Sequence, residues 1–259
     1  MMKLSIIIPV YNEEKTIGKV IDKLLRVKLP CRKEIIIVDD GSTDGTKEIT
    51  KNQKLRTKNI KIIMHKHNQG KGAAIQSGIK KATGDYILIQ DADLEYNPSE
   101  IPKLLAPILN QKDRSSVILA CPESPERDPG RTRSSLARMT KNIAVYGSRF
   151  IKDSATIPPL YLLGNKVLTT LTNMLYGTKL TDMETGYKLL PASFCKKSRL
   201  RSARFDIEPE ITVKLIKKKI HIIEIPISYK GRTHLGGKKL TIKDAFGALK
   251  TLLYLRFFH

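Results

Sequence analysis

The stretch LSIIIPVYNEEKTIGKVIDKLLRV, residues 4–27, decides the fold because its pattern recurs along the N-terminal part of the chain. It consists of an almost wholly apolar run, a few polar residues and an amphipathic helical segment. The same unit recurs in residues 34–53 and 60–82, and a further apolar run occupies residues 86–90. Units of this length imply right-handed crossovers, and strands without polar alternation are typical of sheets covered on both faces. The sequence therefore predicts an α/β fold, with a mostly parallel central sheet and helices on both faces.

The second half of the chain is less regular. It predicts strands at residues 143–148 and 220–229 and a helix at about 165–176. Residues from about 114 to 141 are rich in proline, serine and arginine, which is typical of a surface insertion. The apolar residues 117–120 within it predict one short strand.

The last residues, 241–259, predict an amphipathic helix. Two interpretations of it stay open: it packs on the domain, or it lies in a membrane interface. No apolar run reaches the roughly 20 residues needed to cross a bilayer, so we expect any membrane contact to be peripheral. The apolar face of the predicted helix comprises Ile242, Ala245, Phe246, Leu249, Leu252, Leu253 and Phe257.

Composition limits the compartment and the partners. With 259 residues and 41% hydrophobic content, the chain can bury one substantial core. Cys31, Cys121 and Cys195 are odd in number and far apart, which favours a reducing cytoplasm over a disulfide framework. Lysine and arginine (47) outnumber aspartate and glutamate (25), and the net charge of +22 would attract phosphates or an anionic membrane. Nucleic acid is disfavoured, because tryptophan is absent and stacking aromatics are not interleaved with the basic residues.

Polar residues follow each of the four predicted N-terminal strands. In parallel α/β sheets, ligands bind beyond the carboxyl ends of the strands. We therefore expect all four loops to open on one edge of the sheet and to form the binding site there. These loops are residues 11–14, 39–44, 67–72 and 91–95.

The loop after the fourth strand, QDADLE at residues 90–95, carries three carboxylates. In an extended segment Asp91, Asp93 and Glu95 would point the same way, and they would repel one another unless a cation lay between them. Mg²⁺ or Mn²⁺ prefers such oxygen ligands and leaves coordination positions for a diphosphate. An Asp-x-Asp pair alone is a weak signal, because it also occurs in helix caps and exposed turns.

Two other loops carry candidate nucleotide contacts. Asp39 and Asp40 provide more carboxylates than a helix cap needs, so they are candidates to accept hydrogen bonds from a base or ribose. Ser42 or Thr43 has the simpler interpretation of capping the following helix. Tyr11 is a candidate to stack on a base.

These loops, in this order, resemble family 2 glycosyltransferases of the GT-A fold. Within that family the chain is similar to the dolichol-phosphate mannosyltransferases and polyprenyl-phosphate glycosyltransferases. The resemblance implies a Rossmann-like GT-A catalytic domain at residues 1–240, with the insertion at about 114–141, followed by the helix at 241–259. Four stretches in the second half extend it: VYGSR (145–149), TDMETGYK (181–188), FDIEPE (205–210) and residues 224–239.

The resemblance implies an inverting, metal-dependent transfer of a mannose- or glucose-type sugar. The implied donor is a nucleotide diphosphate sugar such as GDP-mannose or UDP-glucose, and the implied acceptor is a polyprenyl phosphate, dolichyl or undecaprenyl. Mg²⁺ or Mn²⁺ is the implied cofactor. The implied location is peripheral, on the cytoplasmic face of an anionic membrane.

Single residues also receive roles from the resemblance. The nucleotide-sugar contacts are Pro9, Tyr11, Glu13, Val38, Asp40, Asp91, Ala92, Arg232 and Lys239. The metal ligands are Asp91, Asp93 and Glu95, and the acceptor contacts are Arg149 and Glu208. The catalytic set is Asp93, Arg149, Asp182 and Arg232. Asp182 and Glu208 have the alternative interpretation of salt-bridged structural carboxylates.

Other functions remain as hypotheses. A glycosyltransferase in polysaccharide or glycolipid synthesis would act on a hydroxyl, and it would need Asp182 or Glu208 as a general base. A phosphate monoester, with a second pKa of about 6, arrives largely ionised and needs none. A catalytically silent module that binds nucleotide sugar and scaffolds a partner is a further hypothesis, against which the intact acidic and basic residues argue.

Overall fold

The computed structural model describes residues 1–109, 118–119, 143–151, 157, 159–232 and 242–258. Its strands are β1 (Lys3–Val10), β2 (Arg32–Asp39), β3 (Ile60–Met64), β4 (Tyr86–Ile89), β5 (Ile118–Leu119), β6 (Ile143–Ser148), β7 (Lys188–Pro191) and β8 (His221–Pro226). Its helices are α1 (Ile17–Arg26), α2 (Thr46–Arg56), α3 (Lys71–Lys81), α4 (Ile101–Leu109), α5 (Pro159–Tyr176), α6 (Ala192–Lys197), α7 (Ile207–Lys217) and α8 (Ile242–Phe257).

The strands form one mixed sheet in the order β3-β2-β1-β4-β7-β6-β8-β5. Strands β1 to β4 pair in parallel, and so do β6 and β8. Strand β7 runs antiparallel to both β4 and β6, and β5 runs antiparallel to β8. The predicted α/β fold with a mostly parallel sheet is therefore confirmed.

The first four strands end at the same edge of the sheet. Val10 pairs with Asp39, and Asp39 pairs with Met64. On the other side of β1, Ile7 pairs with Ile89. The loops that follow these strands therefore open side by side, as the sequence predicts.

Strand β7 brings the second half of the chain to this edge. Its first residues, Lys188 and Leu189, pair with Tyr146 of β6 and Leu88 of β4. Because β7 is antiparallel to both neighbours, its start lies beside their ends. The segment before β7 and the segment after β6 are therefore adjacent to the loop that follows β4.

Apolar side chains fill both faces of the sheet. In β1, Ile7 packs into a core with α3 and α7, whereas Ile6 and Ile8 pack into a second core with α1 and α4. Burial of both faces explains why the strands lack polar alternation. Helix α3 approaches β1 so closely at Gly78 that a Cβ there would lie 2.5 Å from Cγ2 of Ile7.

Strand β6 occupies the predicted residues 143–148, and β8 occupies 221–226 of the predicted 220–229. Three further predictions can be compared with the structure. Strand β5 confirms the strand expected within residues 117–120, and the rest of the insertion at 114–141 lies outside the described residues. Helix α5 begins at Pro159, earlier than the predicted 165. Helix α8 confirms the predicted C-terminal helix.

The predicted apolar face of α8 is divided in the structure. Leu252 is buried with Ala248 and Leu255 in the core, so the packing interpretation is confirmed for this side. Phe246 and Phe257 are 67% and 69% exposed, so the interpretation that α8 contacts lipid stays open for the other side. Within the part of the chain that the structure describes, no helix is long and apolar enough to cross a bilayer.

Candidate active site

The loops after β1 and β2 are hydrogen-bonded to each other. Asn12 has a φ of 50°, and its backbone N–H donates to Oγ of Ser42 at 3.0 Å. Its side-chain oxygen accepts from the N–H of Thr43 at 2.8 Å. Ser42 and Thr43 therefore join the two loops. The interpretation that they cap α2 is wrong, because the N-cap of α2 is Gly45 and the N–H of Thr46, the first residue of the helix, donates to Oδ1 of Asp44 at 3.0 Å.

Asp40 anchors the loop after β3. It is 3% exposed and accepts hydrogen bonds from the backbone N–H groups of Gln69 and Gly70, at 3.0 and 2.7 Å. Nδ1 of His65 lies 2.6 Å from its Oδ1, and Nε2 of His65 lies 2.9 Å from Oγ of Ser77. Both carboxylate oxygens of Asp40 thus have protein partners, and its contact with a nucleotide stays a prediction.

Lys71 connects the acidic loop with α7. Its Nζ lies 2.9 Å from Oδ1 of Asp91 and 3.1 Å from Oε1 of Glu208, and Glu208 also pairs with Lys188 at 2.7 Å. Burial disfavours a charged amine, but Asp91 and Glu208 outweigh it and hold the pKa of Lys71 above its ordinary value. The sequence places Lys71 in one of the four loops expected at this edge, residues 67–72, but assigns it no role of its own.

Arg232 binds three further carboxylates of this edge. Its guanidinium contacts both oxygens of Glu13, at 2.9 and 3.1 Å, and Oδ2 of Asp93 at 3.1 Å. Its backbone N–H donates to Oε1 of Glu95 at 2.7 Å, and the hydroxyl of Tyr229 donates to Oε2 of Glu95. One guanidinium is therefore shared between the loop after β1 and the acidic loop after β4.

The acidic loop is not extended. Leu94 has a φ of 65°, in the left-handed region that leucine rarely adopts, and the loop turns there. Asp91 faces Lys71, whereas Asp93 faces Arg232. Glu95 contacts Arg232 as Asp93 does, so the prediction that all three carboxylates point the same way is wrong for Asp91. Among the residues that the structure describes, no group of three or more potential ligands is placed to hold a metal ion.

The chemistry of these side chains nevertheless fits a divalent cation. Burial, and then the negative charges of Asp91 and Glu95, raise the pKa of Asp93 to about 7, although Arg232 opposes the shift. Oxygen ligands of this kind are those that Mg²⁺ and Mn²⁺ prefer. The three carboxylates are therefore suitable ligands if their side chains rearrange.

Arg149 and Asp182 form a buried bidentate ion pair. Nε and Nη2 of Arg149 each lie 2.7 Å from a carboxylate oxygen of Asp182, and the two residues are 6% and 0% exposed. The guanidinium lies over the ring of Tyr229, 5.1 Å from its centroid. Asp182 and Glu208 are thus both salt-bridged, as their structural interpretation requires. The roles of Arg149, Asp182 and Glu208 in catalysis and acceptor binding stay predictions.

Tyrosines that sequence analysis did not single out pack behind the acidic loop. The ring of Tyr96 lies 5.1 Å from the rings of Tyr187 and Tyr229, and its hydroxyl accepts from the N–H of Gly186 at 2.9 Å. Nearby, burial raises the pKa of Glu184 to about 7, and no described residue makes a hydrogen bond to its Oε1. These contacts depend on the order of the strands, so no local sequence signal indicates them.

The remaining predicted nucleotide contacts lie at the same edge. Pro9 and Val38 pair at the ends of β1 and β2. Val38 and Ala92 are buried, so a nucleotide could reach them mainly through their backbone atoms. Tyr11 is partly exposed at the start of the first loop. Lys239 lies outside the described residues.

This sheet order, with an acidic loop and basic side chains at the carboxyl edge of the parallel strands, is that of the GT-A fold. The chain belongs to Glycosyl transferase family 2, whose sequence profile matches residues 5–190.

Named relatives align with most of the chain. A dolichyl-phosphate beta-glucosyltransferase of Saccharomyces cerevisiae is 30% identical over 98% of this chain and 74% of its own length. A UDP-N-acetylglucosamine–dolichyl-phosphate N-acetylglucosaminyltransferase of Methanococcus voltae is 32% identical over 86% of this chain and 84% of its own. The crystal structure of Mycobacterium tuberculosis glucosyl-3-phosphoglycerate synthase with Mn²⁺, UDP and glucosyl-3-phosphoglycerate gives a TM-score of 0.68 over 98% of this chain and 80% of that one. At 16% identity, this likeness supports the fold alone.

Proposed function

We propose that this protein is an inverting glycosyltransferase that moves a sugar from a nucleotide diphosphate sugar to a polyprenyl phosphate. The observation that carries the proposal is the placement of Asp91 and Asp93 beside the cations of Lys71 and Arg232, at the edge where GT-A sheets bind ligands. The names of the relatives reported above describe transfer to dolichyl phosphate, and the alignments cover most of this chain.

The acidic loop is the donor side of the proposed site. Asp91, Asp93 and Glu95 would hold Mg²⁺ or Mn²⁺, which when bound supplies positive charge next to the nucleotide diphosphate. Arg232 and Lys239 are the protein's own cations for the negative charge that develops on the leaving nucleotide. The loops after β1 and β2 would bind the base and the ribose.

The second half of the chain is the acceptor side. A phosphate monoester has a second pKa of about 6 and needs cations to hold it rather than a base to activate it. Both oxygens of Asp182 are bound by Arg149, and Glu208 is paired with Lys71 and Lys188. Both carboxylates are held by cations, which favours the phosphate acceptor over the hydroxyl acceptor.

The proposed membrane contact lies on α5 and α8. The two helices are in contact, since the hydroxyl of Tyr176 donates to the carbonyl of Leu252 at 2.8 Å. Both expose large apolar side chains, and a protein with a net charge of +22 is attracted to anionic headgroups. We assign peripheral contact with the cytoplasmic face of a membrane to this apolar surface. Its members are Leu163, Val167, Met174, Phe246, Leu253, Tyr254, Phe257 and Phe258.

A donor screen tests the proposed function. The purified protein is incubated with polyprenyl phosphate, Mg²⁺ or Mn²⁺ and a panel of nucleotide sugars. The mass of the lipid product is then measured by mass spectrometry. We expect one class of donor to give a sugar phosphate lipid, with a beta linkage from an alpha-linked donor. Transfer to an oligosaccharide or glycolipid hydroxyl, with none to the lipid phosphate, would select the alternative function.

A further inference from the structure

The guanidinium of Arg232 lies among carboxylates that the proposed metal site also needs. It is 2.9 Å from Glu13, 3.1 Å from Asp93 and 3.8 Å from Glu95. Its side chain is mostly buried, and so are the three carboxylates. Arg232 comes from the segment after β8, so a distant part of the chain supplies the cation of this acidic cluster.

In the ion pairs of the described residues, two cations contact four carboxyl groups at this edge. Lys71 pairs with Asp91, and Arg232 contacts Glu13, Asp93 and Glu95. Such a cluster of carboxylate oxygens suits a divalent ion. However, Oδ2 of Asp93 is already bound by Arg232, and a guanidinium next to an ion on the same oxygen would repel it.

We propose that Arg232 is a resident counter-ion that a divalent cation must displace from Asp93 and Glu95. The guanidinium then binds the diphosphate of the donor in preference to the carboxylates, because arginine binds phosphate oxygens bidentately. Nucleotide and metal therefore strengthen each other's binding, and by linkage the effect is reciprocal. The identity of the diphosphate rests on the proposed function, whereas the competition between Arg232 and the cation rests on the contacts alone.

A purely structural role for Arg232 makes a different prediction. If the guanidinium only ties the loop after β1 to the acidic loop, its removal lowers stability and leaves metal affinity unchanged or weaker. If it competes with the cation, its removal raises metal affinity in the absence of nucleotide. The direction of the change in affinity separates the two roles, and it requires no catalytic assay.

The first test measures Mn²⁺ binding to the nucleotide-free protein from the electron paramagnetic resonance signal of the free ion. We expect Arg232→Gln to bind Mn²⁺ at least about fivefold more tightly than the wild type, at the lower end of typical coupling between sites. Arg232→Lys keeps the competing charge and should bind close to the wild type. Arg56→Gln, which removes an exposed guanidinium paired with Asp22, is the matched control and should change nothing.

Two results of this titration would overturn the inference: Arg232→Gln binding Mn²⁺ no more tightly than the wild type, or Arg232→Lys binding as tightly as Arg232→Gln. A thermal melt of each variant establishes that it is folded. Failure of the proposed function would appear separately, as absence of sugar transfer by a wild-type protein whose Mn²⁺ titrations still follow the expected order.

A second test uses the wild type, so it does not depend on the folding of a variant. Phenylglyoxal modifies accessible guanidinium groups, and peptide mass spectrometry gives the rate at each arginine. Saturating Mn²⁺ should speed modification of Arg232, because the ion expels its guanidinium from the carboxylates. Arg149, buried against Asp182, is the internal reference and should not change. An unchanged rate at Arg232 under saturating Mn²⁺ would contradict the displacement.

Discussion

Carboxylates at the carboxyl edge of the sheet differ in the partners that the fold gives them. Asp40 accepts hydrogen bonds from backbone N–H groups and lies against His65. Asp91 pairs with Lys71, and Asp93 pairs with Arg232. The positions of these acids could be predicted, because the end of an apolar strand is a local signal. Their partners could not, because Arg232 is 139 residues from Asp93 in sequence and reaches it only in the folded sheet.

Glu34 shows a different use of a buried carboxylate, near the start of β2. The hydroxyl of Ser5 donates to it at 2.6 Å, the N–H of Thr83 at 2.7 Å, and Lys3 and Lys61 pair with it at 3.0 and 2.9 Å. Burial alone would raise its pKa. These donors outweigh burial and hold the pKa of Glu34 well below its ordinary 4.5.

We predict that Glu34→Gln lowers the free energy of unfolding by about 1–3 kcal/mol at neutral pH. Because the pKa of Glu34 is depressed in the folded state, its contribution is fully present above 4.5 and declines as the pH falls below that value. Urea unfolding of both proteins between pH 7 and pH 3 measures the difference. A stability difference that stays constant, or grows, as the pH falls would contradict this account.

The helices and strands show which local patterns determine structure. Apolar runs with a polar end predicted β1 to β4, and the intervening amphipathic segments predicted α1 to α3. Strand β7 and helix α6 are too short for their periodicity to be distinguished from a loop, and neither was predicted. For α8, periodicity identifies the apolar residues, but the neighbouring helices determine which of them are buried.

Contact between α3 and β1 depends on a glycine. A Cβ at Gly78 would meet Ile7, whereas nothing lies within 4 Å of the Cβ position of Gly164 in α5. We predict that Gly78→Ala lowers the free energy of unfolding by about 1–3 kcal/mol through overpacking. Gly164→Ala should be neutral or stabilising by up to about 1 kcal/mol, because alanine favours a helix. Chemical denaturation measures both variants, and equal effects would contradict the predicted close packing.

Exposed aromatic side chains on α8 give a prediction for membrane binding. Vesicle sedimentation should show that Phe246→Ser with Phe257→Ser weakens binding to anionic vesicles by at least about tenfold, since each buried phenylalanine contributes about 1.5–3 kcal/mol. Leu55→Ser is the matched control, because Leu55 is an 86% exposed apolar residue on α2, away from this surface. Equal loss of binding in the control and the double variant would refute the assignment of the surface.

For the whole molecule, the parallel half of the sheet could be predicted and the mixed half could not. Strands β1 to β4 follow one another through helices, and right-handed crossovers then fix their directions. The antiparallel insertion of β7 between β4 and β6 depends on pairing between distant segments. This insertion brings Arg149 and Asp182 next to the acidic loop, so the resemblance of sequence motifs, rather than local periodicity, indicated that these residues belong to one site.

The most direct test of the proposed function compares two acceptors that differ in one group. Sugar transfer from the preferred donor is measured with polyprenyl phosphate and with the corresponding polyprenol, for the wild type, Asp93→Asn and the surface control Asp22→Asn. We predict product from polyprenyl phosphate alone, wild-type rates for Asp22→Asn, and a rate lower by about a hundredfold or more for Asp93→Asn. Transfer to polyprenol at the same rate, or undiminished transfer by Asp93→Asn with metal chelated, would contradict the account.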